Sequence, residues 1–255
     1  MDLLDFALKN KNDIAIFKDN AEFYQYILLR ILNDADEPIG SWAIQDELNH
    51  HGIKISSPTI GRYLRLLDNQ NYTVKVSNKG RILEGTGKKA LAQYDEYMTN
   101  EMFQSSMRKA TKITNVQKLI EVYIVRKAIE TEAVKLCVEH MTQEQLKRLY
   151  ASALEYKNTA IRGESFLEPS LIFHSIIGEG SGNVVLSAII DLLLNSQKTL
   201  EKEMDELITR APDRGLLQSE EHWDIAQAIS KKDAEQAALL MEDHMQKLID
   251  ALSQS

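Results

Sequence analysis

Three histidines in the second half of the chain stand where side chains from separate helices can converge. Residues three, four and seven apart share one face of a helix, and by this rule His174, His222 and His244 each fall on an apolar helical face. Imidazole is a preferred ligand of zinc, nickel and iron, and helical bundles build metal sites from facing helices. The spacing therefore predicts three inward-pointing histidines, which either bind a divalent metal or are satisfied core residues.

Arg126 is a charged residue on another apolar face, which it shares with Val122, Ile129 and Ala133. An arginine in such a position needs a partner. Two interpretations stay open: an ion pair with Glu130, four residues on, or a guanidinium that holds the carboxylate of a ligand inside the bundle.

The composition indicates two helix-rich globular domains. The chain has 255 residues, of which 44% are hydrophobic and 27% charged, with only 11 Gly and 4 Pro. The apolar runs are too short to span a bilayer, and the first residues do not resemble a signal peptide. We therefore predict a cytoplasmic protein without a membrane partner. The single cysteine, Cys137, is predicted to be a small core residue.

The charge is distributed unevenly along the chain. The net charge is −8, but residues 54–89 contain eight basic and two acidic residues, which leaves −14 on the rest. One basic surface on an otherwise acidic protein is the electrostatic pattern expected of a protein that binds DNA at one face.

The first half of the chain has the pattern of a winged helix-turn-helix over residues 21–90, after an extension of residues 1–20. Helices are predicted at 22–33, 41–50 and 57–69. Gly52 suits the left-handed turn after the second helix, and Ser56 and Pro58 suit the start of the third. On that third helix the polar positions face away from the apolar ones. They are predicted to bind DNA, and they are Ser57, Thr59, Arg62 and Arg65.

Residues 72–83 have the pattern of a hairpin with a turn at Ser77 to Gly80. This hairpin is the predicted wing, and Lys75, Lys79 and Arg81 are predicted to contact the DNA backbone or the minor groove.

The rest of the chain is predicted to be all-helical. Residues 91–114 form a connecting helix that either docks or is a plain linker, and residues 115–255 form a bundle of six helices. The predicted helices are 115–139, 142–161, 165–178, 183–209, 216–230 and 233–253, with a turn at residues 211–215. The fold class is thus mainly α, with a winged helix before a six-helix bundle.

The first half, from ILLRILNDADEPIGSWAIQDELNHHGIKISSPTIGRYLRLLDN to the hairpin, resembles the winged helix of archaeal nitrogen-repressor-type regulators. The resemblance implies that 57–69 is the recognition helix and 74–83 the wing. One departure is Asn71, where such domains commonly have glycine. Asparagine tolerates the left-handed conformation, so the fold is retained.

The second half resembles the FCD domain, the helical effector domain of one branch of GntR-type regulators. The resemblance is carried by Arg126 and Glu130 in VRKAIETEAVKL, by Phe173-His174, by Gly182-Asn183, by EEHWDIAQAI, and by His244 in MEDHM. In that family the matching histidines, with an aspartate one turn before the first, bind a divalent metal that helps to hold a small organic acid.

The resemblance implies a metal at His174, His222 and His244, and effector contacts from Arg126, Ser170 and Asn183. Ser170 stands at the aspartate position, and a hydroxyl is a poor metal ligand. The site would then be a three-histidine zinc or nickel site completed by water or effector, a weak metal site, or a metal-free pocket.

We therefore predict a ligand-responsive transcription regulator that is not an enzyme. Its expected partners are operator DNA, a small carboxylate metabolite and a second copy of the chain. Two alternatives remain. One is a DNA-binding protein whose bundle only dimerises, and the other is a three-histidine metal-dependent hydrolase with Glu221 as the nearest candidate base.

Overall fold

The computed structural model describes residues 2–11, 16–198 and 212–254. The chain divides into two compact units, Met1–Arg108 and Lys109–Ser255. Within the described residues, no helix is both long enough and apolar enough to cross a bilayer.

The N-terminal unit contains five helices and a two-stranded antiparallel sheet among its described residues. In chain order these are α1 (Leu3–Lys9), α2 (Asn20–Asp34), α3 (Ser41–His50), α4 (Ser57–Asn69), β1 (Thr73–Val76), β2 (Gly80–Leu83) and α5 (Gly85–Thr111). The order α3, turn, α4, hairpin confirms the predicted winged helix. Leu4, Phe6 and Ala7 of α1 are buried in the same core as α2, so the N-terminal extension packs on this unit.

A glycine turn, a serine cap and one side-chain hydrogen bond define the connection between α3 and α4. Gly52 ends α3 with φ +77°, and the Ser56 hydroxyl accepts from the amide of Thr59 to cap α4, as the sequence predicts. Between them, the side-chain amide of Gln45 donates to the Ile55 carbonyl at 2.9 Å. The apolar stripe of α4 is buried, which leaves the opposite face of the recognition helix open.

The wing is attached to the helices at both of its ends. Asn71 adopts the left-handed conformation at φ +58°, as expected for a position where related domains commonly have glycine. At the other strand, Arg81 and Ile39 exchange backbone hydrogen bonds of 3.0 and 3.1 Å, so the segment before α3 runs alongside β2. Gly80, with φ +130°, lies where a Cβ would overlap the backbone of Ile39 and Gly40.

The first part of α5 docks on the winged helix and is not a free linker. Leu91 and Met98 are buried in the N-terminal core. Asp95 accepts a hydrogen bond from Arg30 at 2.9 Å and one from Tyr26 at 3.4 Å. The helix continues to Thr111, past the division after Arg108.

The C-terminal unit is a bundle with six described helices. They are α6 (Val116–His140), α7 (Gln143–Ile161), α8 (Leu167–Gly180), α9 (Val184–Lys198), α10 (Pro212–Ser230) and α11 (Ala234–Ser253). Helix α6 packs against α8, α9, α10 and α11, while α7 packs on α8 and α10. Thr142 and Gln145 form the expected capping box at the start of α7.

Two predicted boundaries lie at the end of α9 and the start of α10. The turn predicted at 211–215 is wrong from Pro212 onward, because α10 already begins there; proline is accommodated in the first turn of a helix, where its missing N–H has no partner to lose. The helix predicted at 183–209 is present as far as Lys198, and its remainder lies outside the described residues.

Gly80 tests how firmly the wing is held. We expect Gly80→Ala to lower the free energy of unfolding of the N-terminal unit by about 3 kcal/mol, because both the positive φ and the overlap with Ile39 oppose a Cβ. Scanning calorimetry of the full chain measures the change. Gly61→Ala is the matched control: Gly61 is helical with only Arg65 within 4 Å, and alanine there should stabilise by up to about 1 kcal/mol. Equal melting temperatures of the two variants would contradict the close packing of Gly80 against Ile39.

Candidate functional site

The structure brings the three predicted histidines together in the core of the C-terminal unit. His174 lies on α8, His222 on α10 and His244 on α11, and their exposed fractions are 0%, 0% and 1%. Their ring centroids are 4.8 to 5.4 Å apart, and one nitrogen of each ring lies within 4.8 Å of the others. The apolar faces of three helices, inferred from spacing alone, thus point to one place.

Two carboxylates orient two of the rings. Glu130 on α6 is hydrogen-bonded to Nδ1 of His174, and Glu221 accepts from Nδ1 of His244 at 2.7 Å. A carboxylate at Nδ1 holds the proton there and leaves Nε2 with a lone pair. Nε2 of His174 and Nε2 of His244 are buried without a hydrogen-bond partner.

His222 is positioned by aromatic contacts instead. Its ring stacks on Phe173 at 4.0 Å with 9° between the planes, and Tyr156 packs edge-on at 4.8 Å. Both of its nitrogens are buried without a partner. Burial lowers the pKa of His222 below its usual value and the pKa of His174 to about 4, so both rings are neutral at neutral pH.

These residues fit a divalent metal. Neutral imidazoles with unpaired buried nitrogens are the donors that zinc and nickel take, and each metal–nitrogen bond is about 2.0–2.1 Å. Such bonds place tetrahedral ligands about 3.3 Å apart, so nitrogens separated by up to 4.8 Å need only a small inward movement. Ser170 is half-buried one turn before His174 on α8 and offers only a hydroxyl.

Arg126 continues the cluster on the side of Glu130. Its Nε donates to Glu130 at 2.6 Å and its Nη1 donates to Oε1 of Gln197 on α9 at 3.2 Å. Although burial opposes the charge on Glu130, the Arg126 guanidinium lowers the pKa of that carboxyl to about 2. Nη2 of Arg126 and Nε2 of Gln197 remain buried donors without an acceptor.

The N-terminal unit presents a basic face. Arg62 and Arg65 on α4 are exposed, as are Lys75 and Lys79 on the hairpin. Ser57 and Thr59 are half-buried at the start of α4, where the Ser57 hydroxyl donates to Ser41 at 3.1 Å and the Thr59 hydroxyl pairs with Ser56 at 2.8 Å. The two elements predicted to contact DNA thus carry free cationic side chains.

Comparison with known proteins agrees with both units. Residues 121–247 match the FCD domain, and residues 26–91 match the winged-helix domain of ribonuclease R. The chain is therefore a transcription regulator whose C-terminal unit contains an FCD domain. The chain is also 38% identical over 60 residues to the global nitrogen regulator NrpRI of Methanosarcina mazei, a match that covers 24% of this chain and 19% of that protein. The matched segment therefore spans only about a fifth of the length of NrpRI.

Among solved structures, the regulator is similar to Lar, described as controlling expression of the Listeria monocytogenes agr system. The TM-score is 0.50 and the identity 11%, over 93% of this chain and 98% of that chain. A second similar structure is E. coli McbR/YncC, with a TM-score of 0.47 and 17% identity over 100% and 98% of the two chains. At 11% identity, the likeness to Lar supports the fold of the regulator and nothing more.

Two predicted site residues have other roles in the regulator. Asn183 was expected to contact the effector, but it is exposed, and its side chain caps α9 by accepting from the amide of Leu186 at 3.1 Å. Arg81 was expected to contact DNA, but its guanidinium makes two-pronged hydrogen bonds of 2.8 to 3.0 Å to Asp68. Because Asp68 already neutralises the guanidinium, Arg81 has little positive charge left to attract a DNA phosphate.

Gln197 is the site residue that sequence reasoning missed. It lies four and three residues after Leu193 and Leu194 and seven after Ile190, all of which are buried, so it is a polar residue on an apolar stripe. The same pattern identified Arg126 and the histidines. The run that contains it resembled an ordinary core helix because of its leucines.

The ion pair of Arg81 predicts that this arginine stabilises the fold, whereas the exposed Lys79 does not. Arg81→Ala should lower the free energy of unfolding of the N-terminal unit by about 1 kcal/mol, since a partly buried two-pronged pair is lost. Lys79→Ala removes an exposed cation and should change it by less than about 0.5 kcal/mol. Calorimetry of the two variants decides: equal stability would mean that Arg81 is as free as Lys79.

Proposed function

We propose that this regulator binds operator DNA as a homodimer through its winged helix and is controlled by a small carboxylate held on a metal in the FCD domain. The observation that carries the proposal is the convergence of three fully buried imidazoles whose lone pairs face one another without partners. A buried polar atom left without a partner costs free energy. A bound metal would satisfy one nitrogen on each ring.

His174, His222 and His244 would hold the metal, which when bound supplies a positive centre for an anionic ligand. Glu130 and Glu221 keep the proton of two rings on Nδ1 and so present Nε2 inward. Nη2 of Arg126 and Nε2 of Gln197 would donate to the carboxylate of the effector.

The charge of the pocket favours an anionic effector. Arg126 and Glu130 neutralise each other, and the three imidazoles are the described residues whose ligand atoms cluster there. Ser170 contributes no charge where the family has aspartate. A divalent cation in this core therefore has less negative charge around it than in a site with an aspartate ligand, and burial of uncompensated charge is costly.

Control of DNA binding requires that the effector favour one arrangement of the recognition helices over another. In a homodimer two α4 helices would contact half-sites about one helical turn, or a multiple, apart. The site draws residues from α6, α8, α9, α10 and α11, so a ligand there can change the packing of most of the bundle.

The hydrolase alternative loses its candidate base. Glu221 accepts from His244 at 2.7 Å and from Lys247 at 2.8 Å, and both contacts hold its pKa below the usual value against the effect of burial. A carboxylate that orients a ligand ring from its outer side is not placed to take a proton from water on the metal. The purely structural bundle remains, and it predicts that the histidines can be replaced without loss of any ligand.

Metal content tests the proposal directly. Untagged protein purified without added metal should contain about one zinc or nickel ion per chain by plasma mass spectrometry, and the double variant His174→Ala, His222→Ala should contain none. His140→Ala, which changes an exposed histidine, is the control. Absence of metal from the wild type, also after incubation with zinc, would contradict the metal site.

The outer carboxylates give a finer prediction. Glu221→Gln should weaken zinc binding about 10- to 100-fold, because a metal-bound histidine loses the acceptor that fixes its ring. Glu220→Gln changes the exposed neighbouring carboxylate and should leave zinc affinity unchanged. Competition with a zinc-binding dye measures both. Equal affinities would mean that Glu221 does not act on the metal through His244.

A further inference from the structure

Trp42 is the most exposed tryptophan of the regulator, and the fold does not use its side chain. Of the two tryptophans in the sequence, Trp42 on α3 is 76% exposed, while Trp223 is 44% exposed and packs on Tyr150 at 4.9 Å. The indole ring is large and apolar, with one N–H donor. A ring exposed to this degree gains nothing from the folded core and is available to a partner.

The backbone on both sides of Trp42 is tied to the two DNA-binding elements. Ile39, three residues before it, exchanges hydrogen bonds with Arg81 of the wing. Ser41, the residue before it, accepts from the hydroxyl of Ser57, the first residue of the recognition helix. The side chain of a residue in the first turn of a helix leans toward the N-terminus. Trp42 therefore stands between the base of the wing and the start of α4.

The exposed cations near Trp42 favour a polyanion as the partner of this surface. Arg62 and Arg65 on the recognition helix and Lys75 and Lys79 on the wing are exposed, and none of them forms an ion pair with a described acidic residue. Asp46 is exposed one turn further along α3, so the contact is confined to the first turn of that helix. This charge pattern disfavours a second copy of the acidic chain and favours nucleic acid.

We propose that Trp42 is a DNA-contacting residue, whose indole N–H donates to a backbone phosphate while its ring covers the adjoining sugar. This inference rests on the proposed DNA binding and adds a contact from α3 to those of α4 and the wing. Such a contact positions the protein on the duplex without selecting a base. It adds no charge, so it does not release counterions.

The test uses the full-length protein and a fluorescein-labelled 30-base-pair duplex of random sequence at low salt, followed by anisotropy. We expect Trp42→Ala to weaken binding about tenfold, with the slope of log affinity against log salt unchanged. Arg62→Ala should weaken binding and also reduce that slope by about 0.9. Trp42→Phe keeps a ring but loses the donor, and we expect an intermediate affinity.

Fluorescence gives a readout that a folding defect would not imitate. In the Trp223→Phe variant Trp42 is the sole tryptophan, and a saturating amount of the duplex should protect its emission from quenching by acrylamide. Unchanged quenching, or equal affinity of Trp42→Ala and wild type, would overturn the inference. So would a change in sedimentation mass on Trp42→Ala, which would assign the ring to a second copy. If the wild type itself bound no duplex, the proposed function would fail first.

Discussion

The C-terminal bundle is organised around polar side chains that its helices bury together. Arg126, Glu130 and the three histidines are 2% exposed or less, in a core whose other members are mostly leucine, isoleucine, alanine and methionine. A buried charge or imidazole is tolerated only with partners. Pairing of Arg126 with Glu130, and of Glu130 with His174, satisfies part of the group, and the unpaired ring nitrogens define what remains for a ligand. The packing of the helices and the chemistry of the site are therefore one constraint.

The N-terminal unit differs from the bundle because its binding residues are exposed and not buried. Its cations divide into two kinds. Arg81 pairs with Asp68 and fixes the wing to the end of the recognition helix. Arg62 and Lys79 are exposed and form no ion pair with another described residue. Asp68 and Arg81 thus set the position of the wing, and the free cations then act from a rigid frame. The same frame places Trp42 between the two elements.

Helical periodicity accounts for how much of this could be predicted. The winged helix, its caps at Ser56 and Thr142, and the convergence of the histidines all follow from local spacing, which a sequence displays directly. The hydrogen-bond partner of a given side chain does not follow from local spacing. Nothing local tells that Arg81 will meet Asp68 thirteen residues away, or that Arg126 will meet Gln197 across the bundle. Asn183 likewise has a partner that spacing did not reveal, because its side-chain oxygen accepts from the amide of Leu186 and caps α9.

The connection between the two units follows from how α6 is used. This helix supplies both Arg126 and Glu130 to the site, and it begins at Val116, five residues after α5 ends at Thr111. Helix α5 in turn is fixed to α2 through Asp95, which pairs with Arg30. Under the proposed function, a ligand that engages Nη2 of Arg126 would act on α6 itself, and the residues between Thr111 and Val116 are the covalent connection from α6 to α5. Arg126 would then be the residue through which binding of an anion is linked to the position of the DNA-binding unit.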